Sequence, residues 1–305
     1  EFPNEHEKCK AYLAKKSMID FYIFGEGESA FANLVKKIRE GGSISDLKSF
    51  PQEGIMSIHP KNDALVVGKP LPRIMDLDEI PSPFLNGIMD SWFNGFYSPT
   101  IETTRGCPFS CGFCRAGVPT YNRLAMFSVN RLKDELTYIA KKIYKYPGIP
   151  LSLHDSNFGM YEHDEQVAGF IRSLQDKYKW PNKINATTGK KNYKKILDIA
   201  LRLRNVLQVT CSVQSLNPKT LDIIKRRNIP MDQYKIIQRE LKERGMLSVA
   251  ELIMPLPEET INSYFNGIKS VIEAGVTRIT PYTTMMLKGT YLDSDECRTK
   301  YNMKT

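Results

Sequence analysis

The chain has 305 residues, 41% apolar and 25% charged, with 43 Lys plus Arg against 34 Asp plus Glu and a net charge of +9. These values are ordinary for a soluble globular protein of one large domain, or a large domain with a small companion. No apolar run approaches the ~20 residues that span a bilayer and no N-terminal segment has the order of a signal peptide, while the basic residues lie in short clusters such as KKIREGG and KRRN, which argues against nucleic acid as a partner.

Residues 1–70 read as the end of a small α/β unit. MIDFYIF is a short apolar strand, GEGE a turn, and SAFANLVKKI a helix with Phe31, Leu34, Val35 and Ile38 at helical spacing. Strand, glycine-rich turn and helix in that order is a doubly wound pattern. Glu26 and Glu28 in the turn would complement the helix N-terminus. Residues 71–100 carry several prolines and aromatic residues without a period and read as an ordered connector.

From residue 101 strands and helices alternate. ETT precedes a cysteine cluster; a helix spans Val129 to Tyr144 with Leu132, Leu136, Ile139 and Ile143 on one face. A strand at Ile149–His154, a helix near Asp164–Tyr178, the strand KINAT and the helix YKKILDIALRL follow. VLQVTCSV is the next strand, with helices starting at Pro218 and Met231. MLSVAELIM, a helix from Glu258 to Glu273 stopped by Gly275, and TRITPY complete the series. Strands each followed by helix imply a parallel α/β barrel. A full eight-unit barrel takes about 250 residues, more than remain after residue 100, so a six-stranded open barrel fits.

Three of the six cysteines fall in RGCPFSCGFC, at Cys107, Cys111 and Cys114; Cys9, Cys211 and Cys297 are scattered. That is no disulfide framework and implies a reducing, cytoplasmic setting. Thiolates at this density bind zinc or an iron–sulfur cluster. A structural zinc site wants a fourth Cys or His nearby, and the following thirty residues hold neither. Three ligands on a four-iron cluster leave one iron open to a substrate or cofactor.

Cys-x3-Cys-x-aromatic-Cys just after the first strand of an α/β barrel resembles the radical S-adenosylmethionine superfamily. The resemblance implies a [4Fe–4S] cluster on Cys107, Cys111 and Cys114, with S-adenosylmethionine on its open iron, cleaved reductively to a 5′-deoxyadenosyl radical. Further segments agree with it in chain order. Phe113 matches the aromatic near the adenine. Asp155, Ser156 and Asn157 in LHDSNFG stand where the family contacts the methionine amine. Gln214 and Ser215 in VQSLNP, and Arg226 on the next helix, match contacts to S-adenosylmethionine and its carboxylate. Glu251 in ELIMPLPEET matches an acid on the ribose, with Pro255 where glycine is typical.

DFYIFGEGESAF and the connector DLDEIPSP resemble the join between a cobalamin-binding domain and the radical domain in the cobalamin-linked subfamily. The implied fold is a partial (β/α)6 TIM-like barrel over 101–305, a connector over 71–100, and over 1–70 the C-terminal remnant of a Rossmann-like cobalamin-binding domain in an N-terminally truncated chain. The implied function is methyl transfer or rearrangement on a small metabolite, with a reductant such as flavodoxin or ferredoxin and cobalamin in the full-length parent. A methylthiotransferase acting on tRNA or protein is an alternative, but it needs three upstream cysteines and only Cys9 precedes Cys107. A cluster- or zinc-stabilised module without activity is another. His154, Tyr282 and Met285 are candidates to face the cavity, with no assigned role.

Overall fold

The computed structural model describes residues 6–304. The front of the chain forms helix α1 (His6–Ala14), strand β1 (Tyr22–Ile23), helices α2 (Gly27–Arg39) and α3 (Ile44–Ser49), and strands β2 (Ile55–Ile58) and β3 (Leu65–Val67). Ser43 caps α3, its hydroxyl accepting from the Asp46 amide, which satisfies a donor the first turn leaves open. The strand–turn–helix of GEGE is present. Its strand, however, pairs antiparallel, Tyr22 opposite Met56, in a sheet ordered β1-β2-β3. Of the expected apolar face of α2 only Leu34 is buried, beside Ala30; Phe31 and Ile38 are exposed. Ala30, Leu34, Leu47 and Ile55 make a small core of their own.

The glutamates of GEGE do more than complement a helix N-terminus. Glu26 meets Arg73 at 3.3 Å and Arg105 at 3.5 Å, and accepts from the Ile74 amide at 2.6 Å. Arg105 also meets Glu28 and Glu102, each at 2.9 Å. In residues 71–100 Leu77 and Phe84 are buried, and Asp90 accepts from Tyr138 and Lys142 of the following helix, each at 2.6 Å.

The main body begins with β4 (Thr100–Ile101), β5 (Thr104–Arg105) and β6 (Ala125–Met126), then α4 (Val129–Ile143), β7 (Leu151–Phe158), α5 (Glu162–Tyr178), β8 (Ile184–Thr188) and α6 (Tyr193–Arg202). It continues through β9 (Val209–Thr210), α7 (Pro218–Ile223), α8 (Met231–Glu243), β10 (Ser248–Met254), α9 (Ile261–Glu273), β11 (Arg278–Thr283) and α10 (Asp295–Lys300). β4, β7 and β8 pair parallel, as do β9, β10 and β11, and a parallel bridge between Ile184 and Leu207 links the two sets. Leu132, Leu136, Ile139 and Ile143 of α4 bury against β7 and α5 in the largest core cluster, the stripe that turns a helix toward a sheet.

Two departures from the sequence pattern bear on the site. VLQVTCSV supplies only the two residues of β9, because the Thr188 hydroxyl takes part of the ladder's place: it accepts from the Thr210 amide (2.8 Å) and donates to the Thr210 carbonyl (3.1 Å). The expected single strand before the cysteines is split into β4 and β5. β5 pairs antiparallel with β6, Thr104 opposite Met126 and Arg105 opposite Ala125.

Candidate iron–sulfur and cofactor site

The β5–β6 pair closes the base of the loop that carries the three thiols. Gly106 follows at φ +104°, and a Cβ there would stand 2.2 Å from the Arg123 carbonyl oxygen, so only glycine fits. The Cys107 amide donates to the Tyr121 carbonyl at 3.0 Å. Farther along, the Gly112 amide donates to Ile224 and its carbonyl accepts from Leu292, at 2.8 and 3.0 Å. Cys107 and Cys111 are buried, Cys114 is half-buried, and none is in a disulfide.

Donors surround the sulfurs. Asn157 Nδ2 lies 3.3 Å from Cys107 Sγ and Lys190 Nζ 3.7 Å from Cys111 Sγ. Arg226 is buried; its Nε donates to Asn228 Oδ1 at 2.9 Å, another nitrogen donates to the Ser212 carbonyl, and Nη1 has no protein partner. Burial pulls the Arg226 pKa down, and the Cys111 sulfur beside it pulls the other way. Cations and amides at this range stabilise thiolates.

A cavity of about 280 Å³ opens beside the loop, at the C-terminal ends of parallel strands, where α/β folds bind ligands. Cys107, Cys114, Phe113, Ser156, Gln214, Arg226 and Glu251 all line it. Gln214 is buried at φ +64°, its amide donating to the Glu251 carbonyl at 2.8 Å and its Oε1 unpartnered. Glu251 accepts from the Ser212 hydroxyl at 2.5 Å. Ala116 and Ser156 also line a second cavity of about 400 Å³, bounded by Glu26, Glu28, Glu102 and Arg105.

Asp155, Asn157 and Ser215 do not line the first cavity. Asp155 accepts from the Thr103 and Thr104 amides at 2.7 and 3.1 Å and from the Thr103 hydroxyl, tying β7 to the turn between β4 and β5. Burial pushes its carboxyl up to about 6, and the bonds from Thr103 and Thr104 offset only part of that. Asn157 reaches the site through Cys107. Ser215 donates to Glu259 of the PEET segment and accepts from the Asn217 amide. His154, Tyr282 and Met285 are exposed and line neither cavity.

Sequence reasoning missed Thr188, Lys190, Tyr193, Cys211 and Tyr234, which line the same cavity. The available signal was position: Thr188 ends β8, and Gly189-Lys190 follows at once. Burial pushes the Cys211 thiol up to about 12 and raises both tyrosines. Cys211, Tyr193 and Tyr234 therefore bring no charge to the cavity, which Lys190, Arg226 and Glu251 line as well.

The donor set fits a cluster with one open iron: three thiols on one loop, amide and cationic donors on two of the sulfurs, and buried Gln214 Oε1 and Arg226 Nη1 left for a polar guest. Among the described residues no three His, Cys, Asp or Glu side chains are arranged to hold a single metal ion. Across residues 101–266 the sequence matches the profile of the Radical SAM superfamily. The chain belongs to that superfamily. It is 29% identical over 316 aligned positions to the cobalamin-dependent radical SAM methyltransferase TokK of Streptomyces tokunonensis, covering 99% of this chain and 44% of the relative. It is 28% identical to the 2-(S-pantetheinyl)-carbapenam-3-carboxylate methyltransferase of Streptantibioticus cattleyicolor, covering 90% and 40%. The chain thus spans less than half the length of these relatives. In fold it is similar to the radical S-adenosylmethionine methyltransferase TsrM of Kitasatospora setae (TM-score 0.66, 15% identity, 90% of this chain and 53% of that one). It is also similar to the cobalamin-dependent S-adenosylmethionine radical enzyme OxsB (TM-score 0.60, 16% identity, 96% and 42%). Among the described residues no helix is long and apolar enough to cross a membrane.

Proposed function

We propose that this chain forms the radical core of a cobalamin-linked enzyme that cleaves S-adenosylmethionine and transfers a methyl group to a small metabolite. The observation that carries this reading is one cavity joining Cys107 and Cys114 to Gln214, Arg226 and Glu251. The two relatives named above as methyltransferases support the reaction class. The parallel strand order supports a partial six-stranded barrel. In this reading cobalamin, on which the relative TokK depends, sits on the side of the front unit, whose three strands pair antiparallel rather than in the parallel order of a Rossmann-like domain.

Cys107, Cys111 and Cys114 would hold the cluster as thiolates. When bound, it supplies the electron that splits the sulfonium into methionine and a 5′-deoxyadenosyl radical. Arg226 would pair through its free Nη1 with the methionine carboxylate, since a guanidinium matches a carboxylate in geometry and charge. Gln214 Oε1 would accept from the methionine ammonium, and Glu251 from ribose hydroxyls. Phe113 would cover the adenine. Asp155 and Asn157 act at one remove, by fixing the strand junction and the Cys107 sulfur. The cavity wall of Cys211, Tyr193 and Tyr234 bears no charge and helps keep water from the radical.

The test is anaerobic reconstitution with iron and sulfide, followed by electron paramagnetic resonance of the reduced protein with and without S-adenosylmethionine. A four-iron signal that shifts on addition, with 5′-deoxyadenosine formed, is expected. A protein that takes up one zinc and no cluster would falsify the reading.

A further inference from the structure

The cavity lies at the C-terminal ends of the parallel strands; the opposite end of the main body has a different surface. There residues 85–97 lead into β4. Met89 and Phe93 turn inward onto the main core, while Ile88, Trp92, Phe96 and Tyr97 stay outside, Ile88 at 69% and Phe96 at 87% exposure. The rings of Trp92 and Tyr97 meet edge to face, 4.8 Å between centroids. The turn that leads from α4 into β7 continues the patch. Tyr144 and Tyr146 are exposed, and the Tyr146 ring packs so closely on Gly95 that a Cβ there would stand 2.8 Å from it.

Lysines rim this patch. Lys141 and Lys142 end α4, Lys145 lies beyond them with its Nζ 6.0 Å from the Tyr144 centroid, and all three are exposed. Lys183 joins them, since the Asn182 side chain donates to the Pro147 carbonyl at 3.3 Å and the Lys183 carbonyl accepts from the Leu151 amide at 3.0 Å. The carboxylates nearby are already engaged, Asp90 by Lys142 and Tyr138 and Asp176 at the end of α5 by Arg172 and Arg204. Among the described residues Lys141, Lys145 and Lys183 form no ion pair with a carboxylate.

We propose that this end of the molecule docks on an anionic phospholipid surface, lying on the bilayer without crossing it. A contiguous exposed patch of this kind marks an interaction site, and the charge around it selects the partner. Tryptophan and tyrosine rings settle at the headgroup level of a bilayer, and lysines beside them are drawn to anionic lipid. A second copy seated on the same patch would set lysines against lysines, with no spare carboxylate on the rim to meet them. The inference does not depend on the reaction proposed above. Because patch and cavity occupy opposite ends of the same strands, the docked protein keeps its cavity turned away from the lipid.

Trp92 is a built-in reporter. The chain has two tryptophans, and Trp180 is fully buried with its indole N–H on the Ile149 carbonyl at 2.7 Å. Vesicles of mixed phosphatidylglycerol and phosphatidylcholine, or of phosphatidylcholine alone, are titrated into the full chain while tryptophan emission and co-sedimentation are followed. The anionic vesicles should shift emission to the blue and carry the protein down. Binding should be about tenfold or more weaker to phosphatidylcholine alone, and should weaken at high salt. Lys141→Glu with Lys145→Glu should weaken it about tenfold or more, and the pair of Gln substitutions by less. Phe96→Ser should weaken it about tenfold with an unchanged thermal midpoint, because the ring lies outside the core. No sedimentation with anionic vesicles overturns the proposal. So does equal binding to the two kinds of vesicle, or equal binding by parent and lysine variants. Self-association that grows with protein concentration and is lost in Phe96→Ser also overturns it, and gives the patch to a second copy.

Discussion

Asn157 donates its side-chain amide to the sulfur of Cys107 across 3.3 Å, although fifty residues separate them in the chain. A donor on a cluster sulfur favours the electron-rich reduced state and raises the reduction potential. Asn157→Leu should therefore make the potential more negative by on the order of 40 mV, the one-electron equivalent of a hydrogen bond worth about 1 kcal/mol. A redox titration followed by electron paramagnetic resonance reads this directly; an unchanged potential removes Asn157 from the tuning of the site.

Asp155 predicts a pH dependence of stability. Burial raises its carboxyl to about 6 in the folded chain, above the ~3.9 of an unfolded one. Between those values the folded state binds the extra proton, so stability falls as pH rises through that window and is lower by roughly 3 kcal/mol above it. Asp155→Asn should flatten the slope and leave the protein at least as stable at pH 7. Urea midpoints of both proteins from pH 4.5 to 7 test it, and parallel slopes would refute it.

Arg226 is held by Asn228 and the Ser212 carbonyl with Nη1 left over. Lysine in its place keeps the charge but loses the fork. Arg226→Lys should weaken S-adenosylmethionine binding about tenfold, the loss of one charge-assisted hydrogen bond of about 1.5 kcal/mol. Calorimetry on the reconstituted protein measures it, and full affinity in the variant would show that Arg226 does not touch the cofactor.

Gly106→Ala should cost at least ~1–3 kcal/mol, because the left-handed backbone and the nearby Arg123 carbonyl leave no room for a methyl group. Iron per chain should fall with it, since the same turn positions Cys107. A denaturation midpoint and an iron assay on one preparation suffice. A variant with parental stability would contradict the close approach.

What could be read from the sequence followed the range of the physics involved. Cys107, Cys111 and Cys114 are neighbours in the chain, so their spacing announces shared chemistry without knowledge of the fold. The stripe Leu132, Leu136, Ile139 and Ile143 is equally local, and α4 follows it. Asp155 and Ser215 show the opposite case: each sits in a motif-like segment, yet partners far along the chain, Thr103 and Glu259, decide where its oxygens point. Lys190, Tyr193 and Cys211 carry no local pattern and reach the cavity only because parallel strands end together. The antiparallel pairing of β1 was hidden because a two-residue strand has too little pattern to indicate its partner.

Arg105 stands two residues ahead of Cys107 and is gripped by Glu26 and Glu28 from the front unit as well as by Glu102. Only Gly106, pinned by the Arg123 carbonyl, lies between that grip and the first thiol. If the three thiols hold a cluster as proposed, the seating of the front unit is thereby coupled to the position of its first ligand.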